Sequence, residues 1–79
     1  MKNINVSIGI AISTLRHNAH LSQEELADKA GVHRTYISQI ERAKKSPTIN
    51  VLIRISKALN TSASKILEHI EKENDNIQN

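Results

Sequence analysis

The sequence predicts an all-α domain of five short helices. Two observations carry this prediction: aliphatic residues recur at helical spacing along most of the chain, and helix-capping residues separate the apolar stretches. The 79 residues, of which 38% are hydrophobic and one is aromatic, suffice for one small core. A chain of this length has no room for a second, ligand-sensing module, so we expect no small-molecule ligand and no cofactor.

The first segment fits two interpretations. Apolar residues alternate with small or polar ones from Ile4 to Ile12, which is typical of a strand, whereas Ile8, Ile12 and Leu15 form one stripe of a helix. A single strand in an otherwise helical chain would have no partner for its backbone hydrogen bonds. We therefore predict a helix from about Val6 to Asn18.

The second helix has distinct signals at both ends. Ser22 stands three residues before Glu25, the spacing of a capping box in which side chains and backbone N–H groups bond reciprocally. The helix should therefore begin at Gln23. Gly31 supplies the left-handed backbone conformation that ends a helix and allows a sharp turn, so Ala30 is the last helical residue.

A third helix, from about His33 or Arg34 to Arg42, has an inward and an outward half. At 100° per residue the inward half holds Tyr36, Ile37, Ile40 and Glu41, and the outward half holds Arg34, Thr35, Ser38, Gln39 and Arg42. The outward half contains no acid, and its arginine, glutamine and hydroxyl side chains are types that bind base edges and phosphates. A solvated polar face is the plain alternative. The absence of Glu and Lys from this face, with Lys44 and Lys45 directly after it, favours contact with DNA.

The positive charge is concentrated in one part of the chain. The net charge is +3, yet residues 34–57 carry six basic side chains against one acid, and residues from Ile66 onward carry four acids against one lysine. The middle segment should attract a polyanion. Because Tyr36 is the only aromatic residue, a surface that stacks single-stranded DNA or RNA bases is not expected.

Two further helices complete the predicted bundle. Thr48 can cap a fourth helix from Ile49 to Leu59, and Asn60 can adopt a left-handed exit conformation. Ser62 can cap a fifth helix that ends near Ile70 or Glu73. We place the domain at residues 1–73 and expect residues 74–79 to form a polar, frayed tail.

The order of these features resembles the Xre/Cro-repressor type helix-turn-helix domain. The resemblance rests on SQEELA (22–27), AGV (30–32), YIS (36–38) and IER (40–42), with Leu52, Ile55, Ala58 and Leu59 further on, and covers roughly residues 8–70. HRTYIS (33–38) and the single-domain size are most similar to the controller proteins of restriction-modification systems. The resemblance implies a lambda-repressor-like five-helix DNA-binding domain and a sequence-specific transcription regulator, either such a controller or a small phage-type repressor.

The third helix is interpreted as the recognition helix, in which Arg34, Thr35 and Gln39 read base edges. The residues assigned to the DNA backbone or to the margin of the contact are Ser22, Gln23, Tyr36, Ser38, Arg42, Lys44 and Lys45. One short helix reads only a few base pairs. We therefore expect a homodimer that places two such helices about 34 Å apart, one turn of the duplex, on an inverted repeat.

Glu41 needs a cation because it falls on the inward half of the third helix. An unpaired carboxylate beside Ile37 and Ile40 would be costly to bury. Arg16, at the end of the first helix, is the predicted partner, and the resemblance implies an Arg–Glu pair of this kind across the fold.

The chain departs from the family pattern at two helix ends. Ala43 replaces the usual glycine after the third helix, so we expect a less sharply turned exit there. Asn60 and Thr61 stand where glycine and an apolar residue are common, so we expect a looser seam between the last two helices.

Several apolar residues are candidates for a dimer surface. Ile10, Val51 and Ile53 fall at positions that should face away from the core. Ile66, Leu67 and Ile70 are candidates as well, with ordinary packing within one chain as the alternative. The extra apolar surface also keeps open a different function, an antitoxin-like interaction module with secondary DNA binding.

The remaining features narrow the class of protein. Glu24 and Asp28 lie one turn apart on the exposed side of the second helix, where acids near a helix N-terminus are favourable; the alternative, implied by resemblance to phage repressors, is a contact with RNA polymerase. No catalytic constellation appears, so we expect no enzyme. With no cysteine, no apolar span and no convincing set of metal ligands, we expect a cytoplasmic protein without a bound metal or a membrane partner.

Overall fold

Five α-helices make up the structure, a computed structural model that describes residues 3–78 and the side chains of residues 3–73. The helices are α1 (Ile4–Asn18), α2 (Gln23–Ala30), α3 (Arg34–Glu41), α4 (Ile49–Ala58) and α5 (Ala63–Gln78). No strand occurs among the described residues, and the predicted all-α fold is confirmed. Within this part of the chain, no helix is long and apolar enough to cross a membrane.

Most helix ends follow the predicted capping residues. Backbone N–H groups donate to capping hydroxyls at the start of α2, α4 and α5: Glu25 to Ser22, Val51 to Thr48 and Lys65 to Ser62, at 3.0, 3.2 and 3.3 Å. Gly31 and Asn60 adopt the left-handed conformation that the sequence predicts, with φ angles of 71° and 58°. These local signals therefore determine where α2 and α4 end.

The first and last helices are longer than predicted. The first segment is a helix rather than a strand, but it begins at Ile4, because Asn3 caps it and accepts the Asn5 N–H at 2.9 Å. α5 continues to Gln78, beyond the predicted end near Ile70 or Glu73. The expected polar tail, residues 74–79, lies outside the residues whose side chains are described, as do Met1 and Lys2.

One core holds the helices together. Ile12 of α1, Leu26 of α2, Ile37 and Ile40 of α3 and Ile55 of α4 are fully shielded from solvent. α3 packs against α1 and α2, α4 packs against α2, and α5 closes the bundle against α1 and α4. Burying one such side chain contributes about 1.5 to 3 kcal/mol to the free energy of unfolding. Ile37 and Ile40 therefore hold α3 against the core.

The structure removes Ile66 and Ile70 from the predicted dimer surface on α5. Ile66 and Ile70 are 4% and 1% exposed and belong to the core, and Leu67 packs against it. Two residues with so little accessible surface can contribute little to an interface with a second chain. Their helical spacing serves packing within one chain, which was the alternative interpretation.

Exposed apolar surface remains on α1 and α4. Ile10 is 55% exposed and Ile53 is 41% exposed, whereas Val51 is half-buried against the core. Ile49, which the sequence did not single out, is 70% exposed and lies one turn before Ile53. We call Ile49 and Ile53 the α4 stripe.

α1 crosses the carboxyl end of α3 at Gly9. A Cβ atom at this position would lie 2.7 Å from the carbonyl oxygen of Ile40 and 2.8 Å from that of Glu41. Both are backbone atoms, which cannot move aside as a flexible side chain could. Glycine is therefore required for α1 to approach α3 this closely, a contact that the sequence did not predict.

The exit from α3 is as sharp as a glycine would allow, contrary to the expectation for Ala43. Ala43 has a φ angle of 61°, in the left-handed region. Its N–H donates to the carbonyl of Ile40 at 3.0 Å, and the N–H of Lys44 donates to that of Gln39 at 2.8 Å. These bonds satisfy the last carbonyls of α3 and hold Ala43 in a conformation that its Cβ disfavours.

Replacing Ala43 by glycine is expected to raise the free energy of unfolding by about 1 kcal/mol, because glycine adopts the left-handed conformation without the Cβ penalty. Urea denaturation measures the change. Asn60→Gly is the matched control and should gain less, since asparagine tolerates its φ angle of 58° better than alanine would. Unchanged or lowered stability for Ala43→Gly would show that this turn is not strained.

Candidate nucleic-acid interface

A tight turn at Gly31 joins α2 to α3. Gly31 has φ and ψ angles of 71° and 36°, and the N–H of Val32 donates to the carbonyl of Ala27 at 3.0 Å. Val32 packs against the core, which fixes the inner side of the turn. α2, the turn and α3 therefore form the helix-turn-helix that the sequence predicts.

α3 has a buried side and an open side. Ile37 and Ile40 are 0% exposed and dock the helix on the core. On the opposite side, Arg34, Thr35 and Arg42 are exposed, and Ser38 and Gln39 are half-buried. The open side thus presents guanidinium, hydroxyl and amide groups and no carboxylate.

Two residues at the margin of this face also have structural contacts. Tyr36 packs against the core, and its hydroxyl oxygen accepts the N–H of Thr48 at 3.4 Å, which joins α3 to the start of α4. Arg42 Nε donates to the carbonyl of Ser38 at 3.4 Å, so the guanidinium lies along the end of α3. Their contact with DNA stays a prediction.

Lys44 and Lys45 lie in a loop that the end of α3 holds in place. Their backbone N–H groups both donate to the carbonyl of Gln39, at 2.8 and 3.3 Å. Both side chains are exposed, so two ammonium groups extend into solvent directly beyond the open face of α3. This placement suits contact with phosphates.

Arg54 and Lys57 lie on another surface. They line a polar groove with Asp28 and Lys29, and the Arg54 guanidinium comes within 3.7 Å of the place that a Cβ on Gly31 would occupy. The basic side chains of residues 34–57, which the sequence predicts to attract a polyanion together, therefore lie on two separate surfaces. Four of its six cations lie on α3 or directly after it, and two lie beside the turn.

Glu24 and Asp28, the residues considered for a contact with RNA polymerase, are both exposed on α2. Glu24 lies in the first turn of α2, where an acid is favourable, whereas Asp28 lies in the second half of the helix and shares a groove with basic side chains. The polymerase contact stays a prediction.

Arg16 and Glu41 form the ion pair that the sequence predicts, and it joins α1 to α3. Arg16 Nε lies 2.7 Å from Glu41 Oε2, and Nη2 donates to Oε1 at 2.9 Å, a bidentate geometry. The third nitrogen, Nη1, donates to the carbonyl of Leu21 at 2.9 Å, so the guanidinium also holds the segment before α2. The two side chains are only 10% and 7% exposed.

Gln23, assigned to the DNA backbone, also takes part in this pair. Its Nε2 donates to Glu41 Oε1 at 3.1 Å, a contact that sequence reasoning missed because the position of Gln23 after a capping serine does not reveal where its amide lies. The side chain is thus engaged inside the protein. The backbone N–H of Gln23, in the first turn of α2, is the group that remains for a phosphate.

These hydrogen bonds keep Glu41 ionised. Burial would raise the pKa of Glu41, but the bonds donated by Arg16 and Gln23, together with the Arg16 charge, outweigh it and hold that pKa below its ordinary value. The bond to Glu41 raises the pKa of Arg16 in turn. The pair is therefore charged in any neutral solution.

Acid is expected to destabilise the wild-type protein more steeply than a Glu41→Gln variant. Because the pKa of Glu41 is lower in the folded chain than in the unfolded chain, its contribution to stability is complete above the unfolded pKa of about 4.3 and is lost as the pH falls through the folded value. Urea denaturation should show that the free energy of unfolding of the wild type exceeds that of Glu41→Gln most near neutral pH, and that this difference shrinks below about pH 4.3. Glu25, whose pKa its hydrogen bonds with Ser22 lower, contributes equally to both proteins. A difference that does not vary with pH would contradict this role of Glu41.

Comparison with known proteins identifies the family. The helix-turn-helix family HTH_3 matches residues 12–66, which contain α2, the turn, α3 and α4. The chain belongs to this helix-turn-helix family. The relatives that it matches are DNA-binding transcriptional regulators.

Relatives and solved structures include restriction-modification controllers. Control protein C.SmaI of Serratia marcescens is 46% identical over 56 residues, which cover 71% of this chain and 67% of that protein. Control protein C.BamHI of Bacillus amyloliquefaciens is 36% identical over 67 residues, with coverage of 84% and 83%. The crystal structure of the wild-type restriction-modification controller protein C.Esp1396I matches with a TM-score of 0.80 and 34% identity, covering 92% of this chain and 94% of that one. Other relatives are longer: the chain spans 39% of an HTH-type regulator of Mycobacterium tuberculosis.

Proposed function

We propose that this chain is a sequence-specific transcription regulator that binds an inverted-repeat operator as a homodimer, with α3 in the major groove. The observation that carries the proposal is the open face of α3, which holds no carboxylate. Ile37 and Ile40 fix that helix on the core, and the Arg16–Glu41 pair fixes its end. Because these anchors prevent α3 from rotating, the same side chains always face outward, as selective contact with bases requires.

The residues on and after α3 have two proposed tasks. Arg34, Thr35 and Gln39 read base edges, since arginine can bind guanine and glutamine can bind adenine with two hydrogen bonds each. Lys44 and Lys45 bind phosphates and position the protein on the duplex. The residues proposed to touch phosphate, sugar or thymine methyl groups at the margin are Ser22, Gln23, Tyr36, Ser38 and Arg42.

The α4 stripe is the proposed dimer surface. Ile49 and Ile53 are 70% and 41% exposed on successive turns, and grouped apolar exposure of this kind is typical of an interface. Two chains related by a two-fold axis bury identical stripes against each other. In the proposed dimer the two α3 helices would bind half-sites about 34 Å apart, one turn of the duplex.

Control of a restriction-modification system is the proposed biological role, because the control proteins named above match most of this chain. A small phage-type repressor has the same fold and the same kind of DNA contact. Neighbouring methyltransferase and endonuclease genes would support the first role, and an integrase gene would support the second. A toxin gene would favour the antitoxin-like alternative, for which the exposed Ile10 and Ile53 are the supporting observation.

Arg34→Ala and Lys45→Ala are expected to weaken DNA binding in different ways. Arg34→Ala should lose about 1 to 3 kcal/mol of binding free energy on the operator and relax the sequence preference, because a bidentate contact with a base is lost. Lys45→Ala should weaken operator and random DNA about equally and reduce the salt dependence, because a phosphate contact is lost. Fluorescence anisotropy with both duplexes at several salt concentrations measures these effects.

Lys72→Ala is the matched control for the loss of one positive charge. Lys72 is exposed on α5 and belongs to neither group of proposed DNA contacts, so this variant should bind both duplexes like the wild type. Equal losses on operator and random DNA for Arg34→Ala would contradict the base-reading role of Arg34.

A further inference from the structure

A groove between α1 and α5 has the size and lining of a small-molecule site. Its volume is about 330 Å³, which lies within the range of about 300 to 1,000 Å³ that is typical of ligand sites. For comparison, an engineered apolar cavity of about 150 Å³ binds benzene. Ile10, Ala11 and Leu15 line it from α1, and Ile66 lines it from α5. Thr61, at the seam between the last two helices, also contributes to the lining. The accessible surface of the groove is mainly apolar, although six of its ten lining residues carry a polar group.

A buried hydroxyl in this groove has no hydrogen-bond partner among the described residues. Ser7 is 2% exposed, and its Oγ neither donates nor accepts a hydrogen bond there. Ser56, which is also buried in a helix, donates to the carbonyl of Leu52 four residues before it at 2.7 Å. A buried hydroxyl without a partner is costly and uncommon in native proteins. The contrast between the two serines leaves Ser7 Oγ as a buried polar group at the groove whose bonding no described residue satisfies.

We propose that this groove binds a small neutral molecule with a compact apolar body, about the size of one ring, and one hydroxyl or carbonyl group that bonds to Ser7 Oγ. The apolar lining suits the body, and one buried hydroxyl can satisfy one polar group. Among the ionisable lining residues, Lys65 and Glu73 have opposite signs, and His69 Nε2 lies 3.6 Å from Glu73 Oε1, so the groove presents no carboxylate or cation alone to a charged ligand. The length of the chain predicted no ligand, but this site needs no second module because two helices of the one domain form it.

α1 connects the groove to the DNA-binding helix. Gly9 lies against the carbonyl groups of Ile40 and Glu41, and Arg16 holds Glu41 through two hydrogen bonds. A ligand that shifts α1 against the bundle therefore moves the end of α3 and changes its affinity for the operator. This regulatory step rests on the proposed DNA-binding function, whereas the binding site itself does not.

Phenol and toluene are the probes, because they differ only by a hydroxyl in place of a methyl group. Titration of each into the full chain without DNA, followed by amide chemical shifts, should move the signals of Ser7, Ala11 and Ile66. Ser7→Ala should weaken phenol about fivefold, the value of one hydrogen bond, and leave toluene unchanged or bound more tightly. This variant is expected to fold, since it removes a hydroxyl without a partner. Ala11→Leu, which fills the groove, should weaken both probes.

Three results would overturn the site: no shift at these amides, shifts confined to the α4 stripe, or an equal effect of Ser7→Ala on both probes. Movement of the same signals on dilution of the protein alone would show that a second copy occupies the groove, which also overturns it. If phenol binds without changing operator affinity, the regulatory step is wrong and the site stands. If the wild type binds no DNA, the proposed function fails, and the titration still decides whether the site exists.

Discussion

Replacing Arg16 by methionine is expected to lower the free energy of unfolding by about 3 kcal/mol or more, because it leaves a buried carboxylate without its cation. Methionine retains much of the apolar volume of arginine, but Glu41, with a side chain 7% exposed, would keep only the hydrogen bond from Gln23. The carbonyl of Leu21 would lose its donor as well. Thermal unfolding followed by circular dichroism should show a melting temperature lower by about 12 °C or more for a domain of this size.

An exposed ion pair on α5 provides the matched control for Arg16→Met. Lys72 Nζ lies 3.5 Å from Glu68 Oε1, and the two side chains are 74% and 72% exposed. Lys72→Met should therefore change the free energy of unfolding by less than about 0.5 kcal/mol. An Arg16→Met variant that melts within about 2 °C of the wild type would show that the buried pair does not hold α1 to α3.

Replacing Gly9 by alanine is expected to lower the free energy of unfolding by about 2 kcal/mol or more, even though alanine favours the helix. The new Cβ would lie 2.7 and 2.8 Å from the carbonyl oxygens of Ile40 and Glu41, so α1 would have to move away from α3. That movement would also stretch the ion pair between Arg16 and Glu41. Urea denaturation measures the loss.

The sign of the change in the free energy of unfolding for Gly9→Ala distinguishes the close contact between α1 and α3 from the effect of helix propensity. In a helix without close neighbours the same substitution stabilises by about 0.5 to 1 kcal/mol. Thr14→Ala, at an exposed position on α1, is the control and should leave stability unchanged or slightly higher. If Gly9→Ala is as stable as the wild type or more stable, α1 does not approach α3 as closely as described.

The helix-turn-helix was predictable because its signals are local. The spacing of Ser22 and Glu25 marks the start of α2, and Gly31 marks its end, through bonds between near neighbours in the sequence. Helical spacing likewise predicted that Ile37 and Ile40 face inward. The Arg16–Glu41 pair was predictable for a different reason, since an inward carboxylate requires a cation.

The unpredicted features depend on contacts between helices. Nothing near Gly9 in the sequence shows that another backbone crosses there, and nothing near Gln23 shows that its amide meets Glu41. The apolar spacing of Ile66 and Ile70 predicts a buried face but not whether its own chain or a second chain covers it. Packing decides these points, and packing is set by residues distant in the sequence.

Methylation protection on the DNA upstream of the gene shows whether α3 lies in the major groove, because dimethyl sulfate reacts with guanine N7, which lies in that groove. We expect protected guanines in two half-sites about 10 base pairs apart, centre to centre. Protection at one guanine of each half-site should disappear with Arg34→Ala, whereas Lys45→Ala should weaken all protection together. A wild-type protein that protects no guanine in any duplex at low ionic strength, or an Arg34→Ala variant with the unchanged pattern, would contradict the assignment of α3 to the major groove.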